Sequence, residues 1–222
     1  GYDSYAYICD SIYAALPILK EKNDKKILIQ AYNRLSMGLH HLYYKSDLPL
    51  LYSKIALNIA IQEKDSFSLV FISHRMGLYY HYAEKYDSAE IYYQQSIELA
   101  KAIKLDKHIG YSLNQLGDLN LQKNNLEQAL NYYERALVIK KRATEEKIDY
   151  DKTYHNLWIE ASIGAVYYEM GDYQQALKRF QAFAEFCKKE KAVLIQINTV
   201  HEFQSYYRIA KGYVKLKEYK KA

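Results

Sequence analysis

The chain repeats itself, and its period constrains the fold more than any other feature. Aligning Met76-Gly77, Leu116-Gly117, Ile163-Gly164 and Ile209-Ala210 puts Tyr80, Asn120, Tyr167 and Tyr213 three residues past the small residue. Nine further on stand Ala89, Ala129, Ala176 and Ala222. Each alanine follows Tyr86, Leu126, Tyr173 or Tyr219 by three residues, and the first three precede Tyr93, Tyr133 and Phe180 by four. The alanines are spaced by 129 − 89 = 40, 176 − 129 = 47 and 222 − 176 = 46. An upstream copy is recognisable because Asp47 to Ala60 lies over Asp87 to Ala100 without a gap, with Pro49 in the alanine slot. Its Gly38 is one residue out of step with Gly77, so the register of its first helix is less defined than that of its second. A period of this length describes a unit too small to bury its own apolar face, which stacking on its neighbours then covers.

Composition decides what each unit is made of. Only 8 Gly and 2 Pro occur in 222 residues, too few for the turns of a sandwich, a barrel or a doubly wound α/β fold. Apolar residues at 50% and charged residues at 26% exclude wholesale disorder. A mean hydropathy of −0.42, with no apolar run near the ~18 residues a bilayer demands, gives no membrane span. Each unit therefore reads as two antiparallel helices. The small residue at Gly77, Gly117, Gly164 and Ala210 admits a close approach, the alanine opens the second helix, and aromatics fill the space between layers. Asn-Leu-Glu, Tyr-Asp-Ser and Asp-Tyr-Gln at the turns offer side-chain acceptors for free N–H groups at a helix start.

The L-G-x-x-Y … A-x-x-x-F/Y-x-x-A pattern resembles the tetratricopeptide repeat, clearly so from 70 to 222. Ser96 and Ala136 match that family's small residue in the second helix, whereas Phe183 departs from it; the expected tryptophan or leucine early in the first helix appears only as Leu113 and loosely as Tyr206. The period exceeds the usual 34, which resembles the long-helix branch of kinesin light chains, spindle-orientation adaptors and bacterial peptide-sensing regulators. The resemblance implies an all-α fold, a right-handed α-solenoid of helical hairpins, in a single array over 1–222. A helix at 2–22 completes a preceding repeat. Repeats follow at about 26–63, 66–103, 106–143, 151–190 and 196–222, the last incomplete, so the chain reads as part of a longer protein.

Catalysis finds no residues of convincing spacing: no P-loop, no dinucleotide fingerprint, no G-x-S-x-G, and His201-Glu202 lacks a second histidine because position 205 is Ser. The chain is read as no enzyme, with no cofactor. Asp149 and Asp151 form a lone D-x-D that reads as a solvated turn. His41 and His81 share a slot if the first-helix register holds, with His74 two turns before His81; three imidazoles could take a metal, but hydrogen-bonding groove histidines are the commoner reading and no metal is assigned. Cys9 and Cys187 are far apart and read as inert buried thiols, with a cytoplasmic setting as the default. The 26 tyrosines fall mostly at packing positions. Tyr79-Tyr80, Tyr92-Tyr93 and Tyr132-Tyr133 each pair an inward ring with a half-exposed neighbour.

The net charge of +5 is concentrated at one end: from Lys188 onward nine Lys or Arg oppose three Glu, 9 − 3 = +6. Such an end attracts acidic peptide, nucleic acid or anionic lipid, or is simply a solvated helix surface. In the family, the concave surface is lined by first helices and takes extended peptides or partner helices. Carried over position by position, that surface is expected to hold Phe71, His74 and Arg75, then Tyr111, Asn114, Gln115, Asp118 and Gln122, then Trp158 and Ser162, then Gln204, Tyr207, Arg208, Lys211 and Lys215. Asn114-Gln115 resembles the paired amides by which long-period relatives hold a peptide backbone. Ala161 and Ser162 break the set that a chaperone-type carboxylate clamp needs. The expected function is a non-enzymatic interaction module for a protein or peptide, acidic in character, in a larger bacterial signalling or regulatory protein. The alternatives are a scaffold with an empty groove and nucleic-acid binding through the basic end, the latter disfavoured; the sequence assigns no oligomeric state.

Overall fold

A computed structural model describes residues 2–43, 46–142, 150–189, 212 and 214–217. All the elements among them are α-helices: α1 (Tyr2–Lys22), α2 (Lys25–Leu42), α3 (Leu48–Gln62), α4 (Ser66–Tyr82), α5 (Tyr86–Ala102), α6 (Asp106–Gln122), α7 (Leu126–Arg142), α8 (Tyr150–Glu169) and α9 (Tyr173–Lys189). No strand occurs among the described residues. Two compact units, Gly1–His108 and Ile109–Ala222, divide the chain inside α6. In the first, each helix from α1 to α5 packs on the next; in the second, α7 packs on α8 and α8 on α9. The fold is all-α, of the helical-hairpin solenoid class.

Short links force the hairpins. Six turns close on a residue with a left-handed backbone: Asn23, Lys64 and Lys104 between one hairpin and the next, Glu84, Asn124 and Gly171 within hairpins. The hydrogen bonding repeats with them, since Lys85 N–H donates to Tyr80 O at 2.9 Å, Asn125 N–H to Asn120 O at 2.8 Å and Asp172 N–H to Tyr167 O at 2.9 Å. Each bond satisfies a carbonyl stranded at a helix end. Side-chain capping is more selective than the turn sequences imply. Asp24, Asp65 and Asp172 accept from the N–H three residues on, at 3.1, 3.0 and 3.1 Å, whereas Lys85 opens α5 with no side-chain cap.

Inside each hairpin a glycine lies flat against an aromatic ring. A Cβ on Gly77 would stand 2.5 Å from the Tyr93 ring, and one on Gly117 2.6 Å from that of Tyr133. Both rings are fully buried beside Ala89 and Ala129, which are equally inaccessible. Gly164 faces Phe180 less tightly, at 3.0 Å. Phe183, the residue too large for its repeat position, is accommodated by Trp158, whose ring meets it edge-on at 5.9 Å.

The first hairpin breaks this rule. Asp24 and Asp65, the N-caps of α2 and α4, are 65 − 24 = 41 residues apart, so Ser36, not Gly38, occupies the slot of Gly77. Gly38 lies instead against Cys9 Sγ of α1. Ser36 meets Ser53, the counterpart of Tyr93, with 2.7 Å between hydroxyl oxygens, and also reaches Pro49 O at 2.6 Å and the Tyr79 hydroxyl at 3.0 Å. All these groups are buried, so the hydroxyls must bond one another where a ring would otherwise sit. Helix α3 also starts late, 53 − 48 = 5 residues before Ser53, against 93 − 86 = 7 for α5. Pro49 belongs in a first turn, where its missing N–H costs nothing.

Gly77→Ala therefore tests the tight contact. Helix propensity alone would favour alanine by about 1 kcal/mol, but moving a buried ring costs about 1 to 3 kcal/mol. A net loss of stability is expected for Gly77→Ala and Gly117→Ala, and a smaller loss or none for Gly164→Ala; equal thermal shifts for all three would contradict the assignment. At the turns the sign reverses. Lys104→Gly is expected to raise stability by about 1 kcal/mol, because glycine adopts the left-handed backbone without strain, and a denaturant midpoint that falls would count against it.

Candidate functional site

The first helices of successive repeats carry the candidate binding residues, and the register set by the N-caps aligns them. Asn33, His74 and Asn114 take one repeat position, since 74 − 33 = 41 and 114 − 74 = 40; Arg34, Arg75 and Gln115 take the next. Asn33 and Arg34 escape a reading anchored on Gly38. The spacing of Asp24 and Asp65, each followed three residues later by the N–H it caps, is the signal that finds them. His40, not His41, correspondingly shares the slot of His81.

In the first unit Arg75 is the centre of this surface. Its half-buried guanidinium donates from Nη1 to the backbone oxygen of Asn33 at 3.0 Å, tying α4 to α2. It makes no other hydrogen bond and no ion pair with a described residue. Three imidazoles lie within its field. Dehydration, with the charges of Arg75 and His108, lowers His74 to about 3. Dehydration, His41 and Arg75 lower His40 to about 4, and dehydration and Arg75 lower His41. At neutral pH these histidines are uncharged, and the Arg75 guanidinium is the charge that acts on all three. The Asn33 Oδ1 atom beside it is buried and accepts no hydrogen bond. Phe71, stacked edge-on with His108 at 4.1 Å and tilted against the exposed Phe67 at 4.7 Å, borders the same region with aromatic surface.

In the second unit Tyr111, Gln115 and Asp118 are half-buried and Asn114 is buried. Asp118 is engaged within the hairpin: its Oδ1 accepts from the Tyr133 hydroxyl at 2.6 Å and its Oδ2 from Asn114 Nδ2 at 3.4 Å. Asn114 Oδ1 is buried with no partner. Trp158 is half-buried against Phe183, Ser162 is buried, and Lys215 is exposed. Gln204, Tyr207, Arg208 and Lys211 lie outside the described residues. Arg179 pairs with Glu160 across α8 and α9, and its guanidinium sits 5.6 Å from the Tyr167 ring.

The imidazoles that the sequence sets in a line serve packing. His81 is buried, with Nδ1 3.3 Å from the Tyr93 hydroxyl, and His41 stacks on Tyr5 of α1 at 4.2 Å. No group of three metal-ligating side chains occurs among the described residues. No described helix is long and apolar enough to cross a membrane.

Residues 56–142 match the family model described as Tetratricopeptide repeat. That segment carries tetratricopeptide repeats. Among solved structures it is similar to BtubC (BKLC) from P. vanneervenii, at 21% identity and a TM-score of 0.63, covering 78% of this chain and 66% of that one. It is also similar to pilF of Pseudomonas aeruginosa, at 14% identity and a TM-score of 0.55, covering 98% and 93%. This chain thus spans about two thirds of BtubC, and at such identities both likenesses are of fold. No curated protein matches the sequence. Tetratricopeptide repeats in general mediate protein–protein interaction or scaffolding.

The low pKa of His74 has a consequence for stability. The unfolded chain takes up this proton near pH 6.5, while the folded one resists it down to about 3. Between those values the unfolded state binds more protons, so the contribution is complete above about pH 6.5 and declines as pH falls. Replacing His74 by the asparagine found at positions 33 and 114 is expected to flatten the decrease of Tm between pH 7 and pH 4. Parallel profiles for wild type and His74→Asn would refute the assignment.

Proposed function

We propose that the chain is a non-enzymatic interaction module whose repeats hold an acidic protein segment on the α2–α4 face around Arg75, within a larger bacterial signalling or regulatory protein. One observation carries the reading: a half-buried guanidinium, ringed by neutral imidazoles, whose single hydrogen bond goes to a backbone carbonyl. A guanidinium has five N–H donors in a planar fork suited to a carboxylate, and desolvated charge is ordinarily paired. The unpartnered Asn33 Oδ1 adds an acceptor for a peptide N–H beside it, and Phe67 and Phe71 add apolar area. The bacterial regulatory setting rests on the resemblance to long-period repeat arrays and on a composition rich in Lys, Ile, Asn and Tyr.

Fluorescence anisotropy with a labelled Asp/Glu-rich peptide, and with its Asn/Gln counterpart, tests this. The acidic peptide is expected to bind more tightly, with an affinity that falls as salt rises. Arg75→Gln is expected to weaken it by about tenfold, and Arg135→Gln on α7 to leave it unchanged. Equal binding of both peptides would dismiss the charge argument. Complete displacement by a single-stranded oligonucleotide would put the nucleic-acid reading in its place.

A further inference from the structure

A cavity of about 310 Å³ lies between the end of α2, the start of α3 and the end of α4. That volume is within the range of small-ligand sites. Tyr79, Tyr80, Tyr82 and His40 supply aromatic wall, and Asp47 and Glu84 supply carboxylates. The rings are held in place. His40 stacks on Tyr82 at 4.6 Å and leans on Tyr79 at 4.9 Å, Tyr80 lies parallel to Tyr92 at 5.3 Å, and Ser36 fixes the Tyr79 hydroxyl. Neither the Asp47 nor the Glu84 carboxylate makes a hydrogen bond or ion pair with another described residue. Asp47 stands at the N-cap of α3 but its side chain makes no capping hydrogen bond, and Glu84 occupies the left-handed turn at φ 58°.

The sign of the lining selects the ligand class. Among the described residues two carboxylates and one ammonium, Lys85, line the pocket, and His40 is neutral at ordinary pH. An anion would be repelled, and an apolar ligand would strip the carboxylates of water without replacing it. A compact organic cation gains on both counts, from the ring quadrupoles and from the carboxylates. We propose that this pocket binds the ammonium or guanidinium headgroup of a basic side chain, lysine or arginine, presented by a partner segment. It is a second contact point, opposite in sign to that at Arg75, and does not depend on the reading given for that residue.

The probes are Nα-acetyl-lysine methylamide, Nα-acetyl-arginine methylamide and the neutral Nα,Nε-diacetyl-lysine methylamide, titrated while tyrosine-ring chemical shifts are followed in the 222-residue chain. One or both cations are expected to saturate in the millimolar range, and which of them binds more tightly identifies the headgroup; the neutral amide is not expected to saturate. Tyr82→Leu is expected to weaken the cation by about tenfold. So is Asp47→Asn, a change at an exposed residue whose side chain makes no capping hydrogen bond and which hence leaves the fold intact even if Tyr82→Leu does not. Arg75→Gln, which removes a positive charge close enough to bear on His40, is expected to tighten the cation severalfold while weakening the acidic peptide. The proposal is overturned if neither cation saturates by about 50 mM, which corresponds to negligible affinity. Equal binding of the neutral amide, or wild-type affinity in Asp47→Asn, overturns it as well.

Discussion

Everything regular in this protein depends on the contact between a glycine and a ring. At Gly77–Tyr93 and Gly117–Tyr133 the two helices of a hairpin meet with no side chain on one side and a fully buried ring on the other. The ring covers the helix backbone and fills the layer, and an inaccessible alanine one turn before it keeps the second helix close. Such a contact admits neither an extra methyl on the glycine nor a smaller ring without leaving a clash or a void.

Where that contact is missing, the structure acquires polar character. Ser36 and Ser53 stand in for the glycine and the ring, and their hydroxyls, buried with Tyr79 and the Pro49 carbonyl, bond one another. Pro49 stands in the first turn of α3, which starts later relative to Ser53 than α5 does relative to Tyr93. The aromatic, acidic pocket lies beside this irregular hairpin, between the end of α2, the start of α3 and the end of α4.

Charge is distributed with similar economy in the first unit. Arg75 sits among imidazoles that dehydration and its own field hold neutral, and Asp65 is the contrasting case. Burial pushes the Asp65 carboxyl up, but the hydroxyl and N–H of Ser68 outweigh it and keep the carboxylate below its usual range. Groups that anchor a helix are ionised and satisfied; groups on the candidate face are either neutral or, like Arg75, short of a partner.

The sequence by itself determined the all-α hairpin class, because Gly77, Gly117 and Gly164 recur in step with Tyr93, Tyr133 and Phe180, and that periodicity is a direct image of packing. It also determined that Tyr93 and Tyr133 point inward, since each belongs to the periodic set, whereas at Tyr79-Tyr80 the periodic member is Tyr80 and the buried one is Tyr79. The register of α2 was decided by tertiary structure: Gly38 looks like the repeat glycine but serves Cys9 of the preceding helix, and only the packing of Ser36 on Ser53 distinguishes the two. The same holds for His40 and His81, whose shared slot appears once that register is known. Tertiary structure alone decided that Asp118 is bonded to Tyr133 while Arg75 is bonded only to a carbonyl. A repeat pattern records which residues face the neighbouring helix; it does not record which polar groups, once desolvated there, find one another.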